Sequence, residues 1–325
     1  MPLVQPQSLS LLRLLANLVA IGGFLGLAAF GAAALSGIGH RWVDILAQFT
    51  APVAIAAGVG VVICLVLRLW PAAAAGILAT LLLLLAAWPQ WTPPMGRPEP
   101  RAPVIRVYSA NVWALNTDVD AMRRSIAAAD ADIVILVEFG DAPAARIDEV
   151  LAGYPHRALL GRVDRPSGPA RSVIASRTPI LRQLPDPPDG LSTVGAVVDT
   201  ELGPINVFGV HLTRPWPFQY QWGQISQVMA LTERRGNAPA NPVIVAGDFN
   251  SVSSARIGRQ MQTEMGLVPA PGWPGTWPSR LPAFLGITID QVWRSPDLAL
   301  LSRRLGRPTG SDHRPVITEF TRAAS

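Results

Sequence analysis

The sequence has no lysine, so all 27 of its cations are arginines, and it has one cysteine, Cys64. A single thiol excludes a disulfide framework and a cysteine-built zinc site. Charge is scarce too: 15% of the 325 residues are charged, against about 25% in ordinary soluble domains. The shortage is uneven. Residues 1–100 hold only Arg13, Arg41, Arg68, Arg97, Asp44 and Glu99, while 23 Arg and 20 acids lie in residues 101–325. The first stretch is too apolar for a water-soluble domain. The second has the composition and length of a globular domain with a sizeable core. A wholly soluble protein and a disordered chain are both excluded. The net charge of +5 splits into +2 and +3 across the two stretches. A surplus of +3 over 225 residues is no basic tract of the kind that tracks nucleic acid.

What is present in the first stretch is uninterrupted apolar chain. Residues 14–39, 45–67 and 69–96 carry no charge, and each exceeds the roughly 20 residues that cross a hydrocarbon core as a helix. The predicted spans are 14–36, 47–67 and 70–88, making residues 1–88 a membrane domain with the lipid bilayer as its partner. Trp42, Trp70, Trp88 and Trp91 fall at the span ends, where amphipathic rings settle. No polar face recurs at any period, which argues against a buried pair of core helices. Small residues near Ala32–Ala34 would suit signal cleavage, and two spans would remain after it. No span carries a mid-depth ionisable group, so the expectation is an anchor rather than a transporter. Arg13 and Arg68 oppose Arg41, Arg97 and Arg101 in setting orientation. The first helix tips the balance toward an extracytoplasmic domain on the cytoplasmic membrane of a bacterium. Six prolines between Pro89 and Pro103 predict a stiff spacer over 89–103.

Beyond it, strand-like runs alternate with helical ones. Extended segments are expected at 104–111, 133–137, 156–161, 172–176, 192–200, 204–211, 243–246, 287–294 and 314–320. Helices are expected over 143–151, 217–235 and 254–265, and where Val119, Met122 and Ile126 recur after Thr117. This alternation predicts a layered α/β domain.

Six of these apolar strands end in a polar side chain. Val243–Asn250 (VIVAGDFN) presents Asp248 and Asn250, which project to one side of an extended chain. Ser311–Pro315 (SDHRP) places Asp312 beside His313 just before the last strand. Asp290 ends ITID, Glu138 ends VILVE, His211 ends NVFGVH and Asn111 ends YSAN. Singly, each has a structural explanation: an Asx turn, an exposed acid, a hydrogen-bonding imidazole. Together they are the inventory of hard-metal phosphate chemistry: carboxylate and amide oxygens for Mg²⁺ or Mn²⁺, plus two imidazoles. Zinc fits less well, lacking a close His pair. No G-x-S-x-G elbow supports a serine hydrolase.

At these residues the chain resembles the endonuclease/exonuclease/phosphatase superfamily, the deoxyribonuclease-I-like fold. The GDxN at Gly247–Asn250 and the SDHxP at Ser311–Pro315 carry the resemblance. They follow Asn111, Glu138 and His211 in family order, and Arg171–Arg177 (RSVIASR) is similar to the family's central strand. The resemblance covers about 104–322. It implies a four-layer α/β sandwich of two mixed β-sheets flanked by helices, here preceded by three transmembrane α-helices. It also implies phosphoester hydrolysis with a divalent metal, Mg²⁺ or Mn²⁺. Glu138 would be the principal metal ligand, with Asn111 beside it and Asp312 in support. Asp248 would orient or deprotonate the attacking water, and Asn250 would hold the phosphate. His313 would contact the scissile phosphate with its ring fixed by Asp290, and His211 would stabilise transition-state charge. Gln291 departs from the His or Tyr that family members often carry after the aspartate. The expected activity is a membrane-anchored phosphodiesterase whose substrate is nucleic acid or a phospholipid headgroup. Its alternatives are a phosphomonoesterase on an inositol-type phosphate and a non-catalytic module on the same fold. No protein partner is implied.

Overall fold

The computed structural model describes residues 6–38, 40–161, 171–186, 191–215 and 221–324. The chain divides into two compact units, Met1–Pro89 and Gln90–Ser325.

The uncharged runs of the first unit fold as α1 (Pro6–Leu35), α2 (Arg41–Ala47), α3 (Thr50–Val66) and α4 (Trp70–Trp91). Ser10–Leu35 and Trp70–Trp91 are each long and apolar enough to cross a membrane. The predicted middle span, 47–67, holds the single helix α3; the short α2 precedes it at a 63° bend, and the two make a third candidate if taken together. Asp44 lies in α2, outside the apolar α3. Small residues set the packing. A Cβ on Gly76 would stand 2.7 Å from the Phe24 ring and from Val61, so glycine is what allows these helices to close. The Asn17 side chain accepts a hydrogen bond from the Ala72 amide at 3.3 Å, satisfying one of the donors that a helix start leaves free.

In the second unit, the apolar runs form twelve strands among the described residues: β1 (Ile105–Asn111), β2 (Ile133–Val137), β3 (His156–Leu160), β4 (Ser172–Ser176), β5 (Ile180–Gln183), β6 (Ser192–Val198), β7 (Ile205–His211), β8 (Val243–Asp248), β9 (Val268–Pro269), β10 (Asp290–Arg294), β11 (Leu298–Leu305) and β12 (Val316–Arg322). The helices are α5 (Val119–Ala129), α6 (Asp141–Ala145), α7 (Ile147–Val150), α8 (Gln221–Gly236) and α9 (Arg256–Met265). Two six-stranded sheets result, ordered β11-β12-β1-β2-β4-β3 and β5-β6-β7-β8-β10-β9. Both are mixed: β1–β2 and β7–β8 run parallel and the other pairs antiparallel.

The sheets face each other across a core of Ile, Val and Ala that includes Val107, Ile135, Ile174, Val194, Val207, Ile244 and Val292. The strands are buried on both faces, which explains their continuous apolar runs. On the outer face of the first sheet lie Met122 and Ile126 of α5 and Val150 of α7. Ile225 and Val228 of α8 and Ile257 and Met261 of α9 cover the second. This is the four-layer α/β sandwich with two mixed sheets.

Several expectations shift in detail. The N-cap of α5 is Asp118, which accepts from the Ala121 amide, rather than Thr117. The predicted helix over 217–235 is described from Gln221 onward, and 217–220 lie outside the described residues. Strands β5, β9 and β11 were not expected. β5 and β11 are edge strands with half-exposed polar runs, Arg182–Gln183 and Ser302–Arg304, the pattern by which sheets blunt their edges. The proline-rich segment expected as a spacer is tied down from Pro94 onward. Arg294 donates to the Pro94 carbonyl at 2.7 Å, and the amides of Leu300, Glu99 and Ala324 engage Met95, Arg322 and Arg97. Helix α4 also runs through Pro89 to Trp91.

Candidate active site

Strand register explains how residues far apart in sequence converge. The parallel pair β1–β2 sets Asn111 opposite Val137, so Glu138 follows at the same sheet end. The parallel pair β7–β8 sets His211 opposite Asp248, and the antiparallel pair β8–β10 sets Asp290 opposite Asp248. Each sheet therefore delivers its polar strand ends to one place, with the loop before β12 adding His313.

Backbone conformation sharpens the aim. Glu138 and Asn250 adopt positive φ values of 50° and 47°, which side-chain-bearing residues rarely do. Such strain persists where surrounding contacts over-determine it. At Glu138 the contacts are visible. The next residue, Phe139, donates its amide to the Arg171 carbonyl, and its carbonyl accepts from the Arg171 guanidinium at 2.9 Å. Arg171 is fully buried and also bridges Asp141 at 2.9 Å. Gly247 has φ of 140°, and a Cβ there would collide with the Val210 carbonyl oxygen. Only glycine lets β8 lie this close to β7 and still present Asp248.

The carboxamide of Asn111 spans two carboxylates. Its Nδ2 donates to Glu138 Oε1 and to Asp248 Oδ2, both at 2.9 Å, while its Oδ1 accepts from the Trp113 amide at 2.9 Å. Glu138 Oε2 accepts from the Ala114 amide at 3.2 Å. His211 Nε2 stands 3.3 Å from Glu138 Oε1 and 4.0 Å from Asp248 Oδ2. The Asn250 amide donates to Asp248 Oδ1 at 2.8 Å, and its Nδ2 donates to the Leu212 carbonyl at 2.8 Å. His313 Nδ1 meets Asp290 Oδ2 at 2.9 Å, which leaves Nε2 turned to the site, 3.8 Å from Asp248 Oδ2. All of these side chains are buried except that of His211, which is partly open.

Titration follows burial and neighbours. Burial pushes the Asp248 carboxyl above the usual carboxylate range; the imidazole of His313 opposes the rise and the charge of Asp290 adds to it. Burial alone would lower His313, but Asp290 and Asp248 outweigh it and hold its pKa at about 10. At neutral pH His313 is then an imidazolium whose Nδ1–H is taken by Asp290 and whose Nε2–H faces the site.

The cluster also suits a divalent ion. Glu138, His211 and Asp248 offer ligand atoms within 4.8 Å of one another, as do Asp248, Asp290 and His313. Glu138 is a buried carboxylate whose ion-pair partner, among the described residues, is the imidazole of His211 rather than any Arg. A buried carboxylate without a fixed cation invites one. An oxygen-rich donor set with one imidazole matches a hard ion.

All the residues picked out in the sequence lie at this end of the sandwich, but in different relations to it. Asp312 stands outside the buried cluster. Its side chain is half exposed, accepts from Trp277 Nε1 at 3.2 Å and lies 3.8 Å from His313 Nε2. Gln291 alternates to the other side of β10 and donates to the Ser251 carbonyl. Sequence reasoning missed Arg171, Trp277 and Gln224 as parts of the frame. Gln224 Nε2 donates to the carbonyls of Phe249 and Asn250 at 3.1 and 3.3 Å. Arg171 is legible only as the start of RSVIASR and Trp277 only as one of the two Trp in the stretch 273–284; no local pattern marks Gln224.

The described geometry agrees with what comparison shows. No curated protein matches the chain. Among solved structures, an endonuclease/exonuclease/phosphatase from Beutenbergia cavernae is 21% identical, with TM-score 0.52, over 69% of this chain and 72% of that one. A family protein from Bacteroides thetaiotaomicron is 16% identical, with TM-score 0.54, over 69% of this chain and all of its own (100%). The human Nocturnin catalytic domain is 18% identical, with TM-score 0.51, over 68% and 96%. At these identities the likeness is one of fold. The family model for the Endonuclease/Exonuclease/phosphatase family matches residues 108–313, and by that match, over the strands that build the site, the chain belongs to this family.

Proposed function

We propose that the protein is a divalent-metal-dependent phosphodiesterase held at a membrane by its apolar N-terminal helices. The observation that carries this reading is the convergence of Glu138, Asp248 and His211, from two sheets, beside the His313–Asp290 pair. Glu138 would hold the ion, with Asn111 fixing its carboxylate. Bound there, Mg²⁺ or Mn²⁺ would neutralise charge on the phosphate and ease water deprotonation. Asp248, made more basic by burial, orients a water and accepts its proton at Oδ2. Asn250 holds Asp248 Oδ1 through its amide and Asn111 Nδ2 steadies Oδ2, which leaves the second lone pair of Oδ2 for that task. The His313 imidazolium donates from Nε2 to a phosphate oxygen, and His211 adds a second donor as charge develops. Asp312 steadies Trp277 at the rim.

The membrane assignment rests on Ser10–Leu35, Trp70–Trp91 and the bent pair between them. An extracytoplasmic domain is the orientation favoured by the first helix.

The test is the full chain in detergent micelles, assayed with bis-p-nitrophenyl phosphate, p-nitrophenyl phosphate, plasmid DNA and phospholipid vesicles, each with and without chelator. Turnover of a diester that needs Mg²⁺ or Mn²⁺ is expected. Inertness on every substrate, or activity that survives either the chelator or Asp248→Ala, would overturn the catalytic reading. Binding without turnover that survives Asp248→Ala would point to a module instead.

A further inference from the structure

Three segments around the site carry large apolar side chains into solvent. Trp113 and Leu115, in the turn after β1, are 41% and 75% exposed. Trp222, on the first turn of α8, is 67% exposed, and Leu281 and Phe284, in the loop between β9 and β10, are 41% and 50% exposed. Isolated exposed leucines mean little, but a cluster ringing a site does not arise from chance composition.

The segments are fixed to the site itself. In the turn after β1, the Trp113 amide donates to Asn111 Oδ1. Asn116 Nδ2 then donates to the Thr309 carbonyl at 2.9 Å, tying this turn to the loop that carries His313. The second loop rises from a bridge between Trp277 and Ile287. It is pinned to the other side of the same His313 loop: the Ser279 amide donates to the Asp312 carbonyl at 2.7 Å, and Arg314 donates to the carbonyls of Pro278, Ser279 and Leu281. Its tip, Arg280–Phe284, is exposed apart from half-buried Ala283. Trp222 lies two residues before Gln224, which grips the Phe249 and Asn250 carbonyls.

Charge completes the picture. Residues 112–117 carry no charge, and residues 273–289 carry one, the exposed Arg280. A rim of exposed Trp, aliphatic and Phe side chains, with the exposed Arg280 and one half-exposed acid, Asp312, that is engaged by Trp277 Nε1, has the chemistry of an interfacial membrane contact. Indole rings settle at headgroup depth, apolar side chains enter the acyl boundary, and an Arg meets lipid phosphate. A nucleic-acid partner would be met with several cations, which the described residues of this rim do not offer. A protein interface shares the aromatic side chains, and the apolar helices of the same chain are what favour a bilayer over a protein. The chain also brings its own bilayer, since it is continuous with helices long and apolar enough to cross one.

We infer that this rim docks the domain onto the surface of a phospholipid bilayer, so that the site meets phosphoesters of lipid headgroups. The lipid substrate rests on the phosphodiesterase reading above; the docking does not.

The docking is tested apart from catalysis. In the full chain, Cys64 is replaced (Cys64→Ala) and a single cysteine placed at the rim (Phe284→Cys) or at exposed Leu181 on β5 (Leu181→Cys). Each carries an environment-sensitive fluorophore and is reconstituted into vesicles of phosphatidylcholine with phosphatidylglycerol. The probe at position 284 is expected to emit to the blue of the probe at 181 and to be quenched several-fold more by bromine-labelled acyl chains. Trp222→Cys serves as a second rim position should Phe284→Cys fail to fold. Equal bromolipid quenching at rim and control positions would overturn the inference. Shielding of the rim from aqueous iodide without bromolipid quenching would overturn it too, because a protein surface, a second copy of this chain included, would then be the cover. A chain inert toward every phosphoester yet quenched at the rim would keep the docking and remove the lipid substrate.

Discussion

Both sheets reach the site through a parallel strand pair, β1–β2 in one and β7–β8 in the other, but the two pairs carry different chemistry. The first ends in an amide and a carboxylate, Asn111 and Glu138. The second ends in an imidazole and a carboxylate, His211 and Asp248, with Asp290 alongside on β10. The first sheet's anion has only neutral donors from its own side, the amide of Asn111 and the backbone of Ala114. Across the seam between the sheets, His211 of β7 stands against Glu138, and His313, from the loop before β12 of the first sheet, stands against Asp290 and Asp248 of the second. The two sheets thus bring different residue types to one place, and the candidate cation cluster of Glu138, His211 and Asp248 draws on both. Neither sheet makes a site alone, and Asn111, bonded to the carboxylates of both, is the joint between them.

The sharpest way to break the proton-handling side is Asp248→Asn. The amide keeps the shape and can still accept from Asn250, but its NH2 then faces the Asn111 Nδ2 that donates to Oδ2, so a modest loss of stability, about 1–3 kcal/mol, is expected. Turnover should fall by about 1000-fold, the range for loss of a general base. Steady-state kinetics beside a melting curve separates the two effects. On the cation side, Glu138→Gln should raise the metal concentration needed for half-activity by at least about 100-fold, since disturbing a metal's supporting groups alone costs about 10–100-fold. A metal titration checks it, and excess Mg²⁺ should restore much of the rate. If Asp248→Asn shifted the metal requirement as far as Glu138→Gln, the division of labour between the two carboxylates would be wrong.

A smaller effect comes from pH. His313 titrates at about 10 in the fold against 6.5 unperturbed. Its raised pKa means that its contribution to stability is complete below 6.5 and is lost as pH climbs through about 10. Activity that depends on its charge should hold from neutral pH to that point, then fall about tenfold per further unit. The melting temperature of His313→Gln should lose the alkaline decline that the parent shows between those limits. The smallest expected effect belongs to Arg171→Met, which leaves the Phe139 carbonyl without its donor behind Glu138. A lost buried hydrogen bond to a charged group is worth about 2 kcal/mol, measurable by denaturant melts. Any accompanying loss of activity should appear in the metal requirement, since Glu138 is the residue this arginine braces.

Much of this was legible one strand at a time. VILVE, NVFGVH and VIVAGDFN announce buried strands that end in chemistry, because a polar residue closing a doubly buried strand has few reasons to be there. Asp312 shows the limit of that reading. It adjoins His313 in the sequence, yet the turn between them buries one side chain and leaves the other half exposed at the rim with Trp277. Adjacent residues in a loop diverge, and only the loop's conformation decides which one enters the site. β11 escaped notice for a related reason: its Ser302–Arg304 run looks like surface, and an edge strand is surface on one side.

By itself, the sequence determined the division into an apolar, nearly uncharged stretch and a charged one, the alternation that makes an α/β sandwich, and the residue types of the site. These depend on local composition and periodicity, which act over a few residues. The tertiary structure alone decided that the middle apolar run bends between α2 and α3, that the proline-rich segment is bound to the domain from Pro94 onward, and that Asn111 bridges carboxylates from two sheets. It also decided that exposed Trp and Phe side chains ring the site. Each of these depends on strand register and on contacts between residues up to some 200 positions apart in the chain, and no local pattern encodes such pairings.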